Sequence, residues 1–186
     1  MSRIKVIEPE EATGRLLEIY NDIVKKRGKL ADVHKIQSLR PESIVAHMDL
    51  YLEIMFSKSE LSRAEREMMA VVVSVSNGCK YCQMHHAQAL NHYWKSDERI
   101  SLLKKDYHQA GLSSREIALC EFARKLTIAP SGFKDEQQLE PMRNEGISDN
   151  GLLDATLVVA YFNFVNRIVL ALGLEVTESE MQGFKY

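Results

Sequence analysis

The sequence predicts an all-α protein: a single-domain helical bundle of about seven or eight helices, with a helical hairpin near its middle. Three observations carry this. Apolar residues recur three and four apart along most of the chain, and no segment shows convincing strand alternation. Serine followed three residues later by glutamate marks two helix starts, at Ser62–Glu65 and Ser113–Glu116. Glycine follows the last periodic residue of two long segments, at Gly28 and Gly173.

Taken in order, Pro9 with Glu10 and Glu11 predicts a first helix running to Arg27. Its apolar positions include Leu16, Ile19, Tyr20 and Ile23. A short helix is expected near Val33–Ser38, and Pro41 opens a second long helix whose apolar face includes Ile44, Met48, Leu52 and Met55. A helix capped by Ser62 runs to Ser76. Asn77-Gly78 then breaks it, and a new helix starts at or near Cys79, so the two form a hairpin. Further helices are expected at Asp97–Asp106, Ser114–Thr127 and Lys134–Asn144, and a last one from Ser148 to Leu172. No Pro- or Ser-rich linker divides the chain. The expected layout is one domain, with N-terminal helices over 1–60, the hairpin over 61–92 and C-terminal helices over 93–186.

The chain has 186 residues, 45% hydrophobic and 27% charged, which suits a soluble globular domain. A net charge of -2 gives no electrostatic reason to expect nucleic acid or an anionic membrane as a main partner. The Met1–Glu11 stretch is polar and does not read as a signal peptide. Ala155–Leu172 is apolar enough to raise the membrane question, but Asn163, Asn166 and Arg167 interrupt it, and a buried core helix is the expectation. Three cysteines, two of them three apart, do not form a disulfide framework. They fit a cytoplasmic protein with a working dithiol.

The chemistry concentrates in Cys79-Lys80-Tyr81-Cys82-Gln83-Met84-His85-His86. An α-helix turns ~100° per residue, so Cys79, Cys82 and His86 share one stripe. Cys79 is expected at the exposed helix N-terminus, with Cys82 one turn deeper. Unpaired N–H groups and the helix dipole favour a thiolate there over a free thiol of pKa about 8.5. A thiolate attacks peroxide to give a sulfenic acid, and a second thiol one turn away closes a disulfide. His86 can take the Cys82 proton. Glu67 lies ~13 Å back from the hairpin turn and His86 ~10 Å beyond it, so the two come level across the hairpin and can relay protons.

Other readings stand beside this one. Cys79 and Cys82 with nearby histidines would make a zinc site, although a structural zinc site draws four ligands, usually from two separated pairs. His85 is an alternative base, and Glu67 within Glu65-Arg66-Glu67 also fits a solvated charge cluster. Cys120 reads as core filler, as do Met48, Met55, Met68, Met69 and Met84. Asn163, Asn166 and Arg167 read as inter-helix hydrogen bonding or a subunit contact, or else place Arg167 beside the thiols. His92-Tyr93-Trp94 reads as a packed helix end or a substrate mouth. His34, His47 and His108 give no signal.

The pattern Glu67-x₁₁-Cys79-x₂-Cys82-x₃-His86, within Leu61–Leu90, resembles the alkylhydroperoxidase AhpD family of the carboxymuconolactone decarboxylase superfamily. Ala160-Tyr-Phe-Asn-Phe-Val-Asn-Arg167 resembles its peroxidase-related branch. The resemblance implies an all-helical fold and a homo-oligomer, a trimer or hexamer. It also implies Cys82 as the peroxide-reactive thiol, Cys79 as the resolving thiol more exposed to a reductant, and His86 with Glu67 as the proton relay. Well-studied members carry a histidine just before the second cysteine, where this chain has Tyr81. The decarboxylase branch generally lacks the cysteine pair.

The expected activity is reduction of hydrogen peroxide or an organic hydroperoxide, with recycling by a dithiol reductant protein. It calls for no haem or flavin, and no nucleotide-binding glycine motif is present. A thiol–disulfide adaptor with negligible peroxide turnover is the alternative. A helical oligomer binding another small molecule, with a vestigial dithiol, is a third reading.

Overall fold

The computed structural model describes residues 2–176 and Glu180. The rest of the 93–186 region lies outside the described residues. Among those described are nine α-helices and no strand: α1 Gly14–Arg27, α2 Asp32–Lys35, α3 Pro41–Phe56, α4 Arg63–Ser76, α5 Lys80–Trp94, α6 Asp97–Lys105, α7 Ser114–Ile128, α8 Glu140–Asn144 and α9 Asp149–Leu172. The all-α expectation holds.

Helix α4 is the axis of the fold. Every residue from Arg66 to Ser74 is buried, and the helix packs against α3, α5, α6, α7 and α9. A helix apolar on nearly all sides belongs in a core. Fully burying side chains such as Met68, Met69, Val71 and Val73 contributes about 1.5–3 kcal/mol each as an upper estimate. Its start is the expected capping box: Ser62 Oγ accepts from the Glu65 amide at 3.2 Å, and Glu65 Oε2 accepts from the Ser62 amide at 2.7 Å. The larger apolar cluster runs from Ile54 and Met55 at the end of α3 through α9, and a smaller one joins α1 to the earlier part of α3, with Tyr51 packed against both.

Helix α9 buries one face, through Leu152, Ala155, Val159, Phe162, Val165 and Val169. The opposite face exposes Leu153, Leu157 and Phe164. By length and composition α9 is able to cross a membrane, and its inward face is embedded in the larger cluster. Arg3 donates to the carbonyls of Leu170 (2.7 Å) and Ala171 (3.0 Å), placing a cation on the orphan groups at the helix C-terminus.

Three element boundaries differ from expectation; the short helix α2 ends at Lys35, not Ser38. Helix α1 begins at Gly14, not Pro9. Residues 8–12 form a turn closed by Glu11 N–Glu8 O and Ala12 N–Pro9 O bonds, and Thr13 is extended with φ -133°. The expected Lys134–Asn144 helix is a 3₁₀ turn at Glu136–Gln138 followed by the short α8. Pro141 explains the break: it has no N–H, and its ring collides with the carbonyl four residues earlier in a continuous helix.

Candidate active site

The α4–α5 hairpin is docked onto α9 at its tip. The Asn77 side chain donates to Asn163 Oδ1 (3.1 Å) and Asn166 Oδ1 (3.0 Å), and Asn166 Nδ2 donates to Ser74 Oγ at 3.3 Å. Gly78 takes φ +68°, which glycine adopts without steric cost, and the chain re-enters a helix with Cys79 at the N-cap.

This docking overturns one expectation. Cys79 is 0% exposed, not at an open helix end, because α9 covers the turn. Cys82 is 2% exposed, but it lies on the wall of a cavity of about 100 Å³, and Cys79 does not. Acidity and access therefore reside on different sulfurs. Interaction with the Cys82 thiol, opposed by burial and aided by the Cys82 backbone N–H, holds Cys79 below its ordinary value. Donation to Cys79, burial and the adjacent Cys79 charge push Cys82 well up, and only Asn166 opposes this. When the reduced pair gives up a proton, Cys79 is the sulfur favoured to lose it and Cys82 the one favoured to keep it.

Glu67 and His86 meet across the hairpin. His86 Nδ1 lies 2.7 Å from Glu67 Oε2, and Arg63 Nη2 lies 2.6 Å from Glu67 Oε1. Glu67 is fully buried, so it is not part of a solvated charge cluster. A carboxylate only accepts, so His86 carries its proton on Nδ1. In the neutral ring Nε2 is then the lone-pair nitrogen, and the ring lines the same cavity as Cys82 and packs edge-on to Phe162 at 4.4 Å.

His85 also lines the cavity, its ring tilted against that of Tyr81 at 4.4 Å. Both face Glu180: Tyr81 donates to its carboxylate, and His85 Nε2 lies 3.5 Å from it. The Asp32 amide donates to the same oxygen at 2.9 Å. Burial works against ionisation of Glu180, but the bonds from His85, Tyr81 and the Asp32 amide prevail and hold it down at about 2. Tyr81 is thus engaged with a carboxylate near the chain's end.

Several residues fall elsewhere. Arg167 is exposed and bonds back to Asn163 O (2.8 Å) and Oδ1 (2.7 Å), so it does not stand beside the thiols. Cys120 is fully buried in the main cluster. Met84 is exposed, unlike the other methionines grouped with it. His92 and Tyr93 are exposed outside the cavity, and Arg99 lies over the Trp94 ring at 4.1 Å. Among the described residues no cluster of three or more His, Cys, Asp or Glu side chains is placed to hold a metal ion.

Two residues dismissed on sequence grounds belong to the cavity: His34 and His47. His47 was detectable, since it interrupts the buried stripe Ile44, Met48 and Met55 on α3, and a polar group on an apolar stripe needs a partner. Its partners are Gln37 and Tyr161, both at 2.7 Å. Burial pushes His47 down to about 4. Burial, with the His47 and Arg27 charges, pushes His34 down to about 3.

The sequence profile of the carboxymuconolactone decarboxylase family matches residues 42–125, from α3 through most of α7. The match covers less than half of this chain. Its structural neighbours are AhpD-like, peroxidase-related proteins. One, an uncharacterized peroxidase-related protein from Ralstonia eutropha JMP134 described as an alkylhydroperoxidase AhpD core, superimposes with a TM-score of 0.86 at 26% identity, over 97% of this chain and 94% of that one. Another, an uncharacterized peroxidase-related protein from Silicibacter sp. TM1040, gives a TM-score of 0.83 at 28% identity over the whole of both chains. The uncharacterized protein YdfG of Bacillus subtilis (strain 168) is 27% identical over 135 residues, 73% of this chain and 90% of its own length. The two solved structures share this fold, and both are described as peroxidase-related.

Proposed function

We propose that this protein is a cysteine-based peroxidase that reduces hydrogen peroxide or a small organic hydroperoxide through a Cys82–Cys79 dithiol cycle. The observation that carries the reading is the placement of Cys82 on a cavity wall, with an acidified Cys79 behind it and the Glu67-held His86 beside it. The peroxidase-related neighbours support the same reading.

In this mechanism His86 Nε2 removes the Cys82 proton. The Cys82 sulfur then bonds to the distal peroxide oxygen as the O–O bond breaks, leaving Cys82 as a sulfenic acid. The departing alkoxide or hydroxide takes the proton back from His86. The Cys79 thiolate attacks the Cys82 sulfur, a disulfide forms and hydroxide leaves as water once protonated. The balance is one peroxide and two thiols to one alcohol, one water and one disulfide. A cavity of about 100 Å³ suits a small peroxide, since a liquid water occupies about 30 Å³ and a cavity of about 150 Å³ holds benzene.

Recycling by a dithiol reductant protein is part of the proposal. The incoming thiol attacks at Cys82, because Cys79 is enclosed. So are a cytoplasmic location and assembly as a homo-trimer or hexamer. The exposed Leu153, Leu157 and Phe164 of α9 support assembly.

The test is stoichiometric hydroperoxide added to reduced protein, with sulfenate and disulfide followed by intact mass. Wild type closes the disulfide, Cys79→Ser accumulates sulfenic or over-oxidised Cys82, and Cys82→Ser does not react quickly. If both mutants react alike and slowly while wild type exchanges readily with protein disulfides, the chain is a thiol–disulfide adaptor instead.

A further inference from the structure

A chain of hydrogen bonds running from α2 to α9 has a fixed direction. The Val33 carbonyl can only accept, so the Gln37 atom 2.8 Å from it is the amide nitrogen. That nitrogen also lies 2.7 Å from His47 Nδ1 and donates to it. Nδ1 therefore presents a lone pair. His47 is buried and neutral, so its proton is on Nε2, 2.7 Å from the Tyr161 hydroxyl. The imidazole donates and the Tyr161 oxygen accepts.

The Tyr161 proton then has no acceptor among the described residues, although the side chain is buried on the cavity wall it shares with Cys82. A buried donor left unpaired costs about 1–3 kcal/mol, which an oxygen atom entering the cavity would recover. Tyr161 is also close enough to Cys82 for a charge there to disfavour its own ionisation, after the larger effect of burial. It stays a donor.

We infer that the Tyr161 hydroxyl donates a hydrogen bond to the leaving oxygen of the peroxide, and that Gln37 and His47 are positioning residues which aim that donor by fixing the His47 tautomer. This rests on the reading of Cys82 as the peroxide-reactive thiol. As the Cys82 sulfur takes the distal oxygen and the O–O bond breaks, negative charge develops on the proximal oxygen. The Tyr161 O–H stabilises that charge without giving up its proton, and His86 supplies the proton that completes the alcohol or water. A donor already aimed at developing charge acts in the manner of an oxyanion hole.

The test measures the rate of peroxide-driven disulfide formation in Tyr161→Phe, His47→Leu and His47→Gln, with the ¹⁵N shifts of the His47 ring recorded in wild type. Tyr161→Phe and His47→Leu are expected to slow the step on the order of 10²-fold, the scale for losing one oxyanion donor. His47→Gln keeps an N–H donor at the Nε2 position and is expected to restore most of the rate. The ring spectrum should show a protonated Nε2 and an unprotonated Nδ1. Wild-type rates in a folded Tyr161→Phe, or a proton on Nδ1, overturn the inference and leave the peroxidase reading intact. Should Tyr161→Phe fail to fold, equal rates in the two His47 variants overturn it. A wild-type protein that forms no disulfide with any peroxide removes both.

Discussion

Glu67→Gln breaks the buried Arg63–Glu67–His86 arrangement while keeping its volume. The carboxylate is fully buried, forms an ion pair with Arg63 Nη2 at 2.6 Å and accepts from His86 at 2.7 Å. Glutamine retains one acceptor oxygen and presents an amide donor where the second stood. One charge-assisted bond survives, and the other becomes a donor facing a donor. A bond to a charged group contributes about 1.5–3 kcal/mol, and stranding one partner of a buried ion pair costs about 3–5 kcal/mol. The Arg63 side chain keeps 15% exposure and the Met55 carbonyl as an acceptor. The lower end of the second range, about 3 kcal/mol, is therefore the expected loss. At about 2–4 °C per kcal/mol for a chain of this size, Tm should fall by ~6–12 °C, read by far-ultraviolet circular dichroism. Arg63→Met combined with Glu67→Gln should cost less than the two single changes added, because the stranded cation is gone. A Tm shift below ~2 °C in Glu67→Gln, or strict additivity in the double variant, would refute the ion-pair argument.

Three further outcomes follow from the site. Thiolate absorbance of the reduced protein should show one group titrating below the ordinary thiol value. Cys79→Ser should abolish it, since the interaction with Cys82 depresses Cys79 and not its partner. Acid denaturation should begin as pH falls below 6.5, because His34 and His47 have folded values of about 3 and about 4, and the unfolded chain therefore binds their protons first. His34→Gln should make that slope shallower by about one proton, measured by urea melts from neutral pH down to pH ~4. Asn166→Ala should cost about 1–3 kcal/mol, since it strands the buried Ser74 hydroxyl and one Asn77 contact. It should also raise Cys82 further, which differential alkylation of the two cysteines will show.

What the sequence made legible was local. Ser62–Glu65 and Ser113–Glu116 announce helix starts because a capping box is complete within four residues. The Cys79, Cys82 and His86 stripe, and the meeting of Glu67 with His86, follow from helical pitch plus one tight turn. Pro141 was legible too, and a helix drawn through it ignored its missing N–H. The burial of Cys79 was not, because the cover comes from α9, 86 and 89 positions away in the Asn77 bonds. In the Gln37–His47–Tyr161 chain the bond from His47 to Tyr161 spans 114 positions, and Glu180 reaches the Asp32 amide across 148. No spacing rule spans such distances. Only packing brings those groups together.

Helix α9 serves two masters. Its inward amides anchor the turn that carries the sulfurs, and its outward leucines and Phe164 lie on the opposite flank of the same rod. Pressure or support applied to that outer flank reaches the floor beneath Cys82 through a single rigid body.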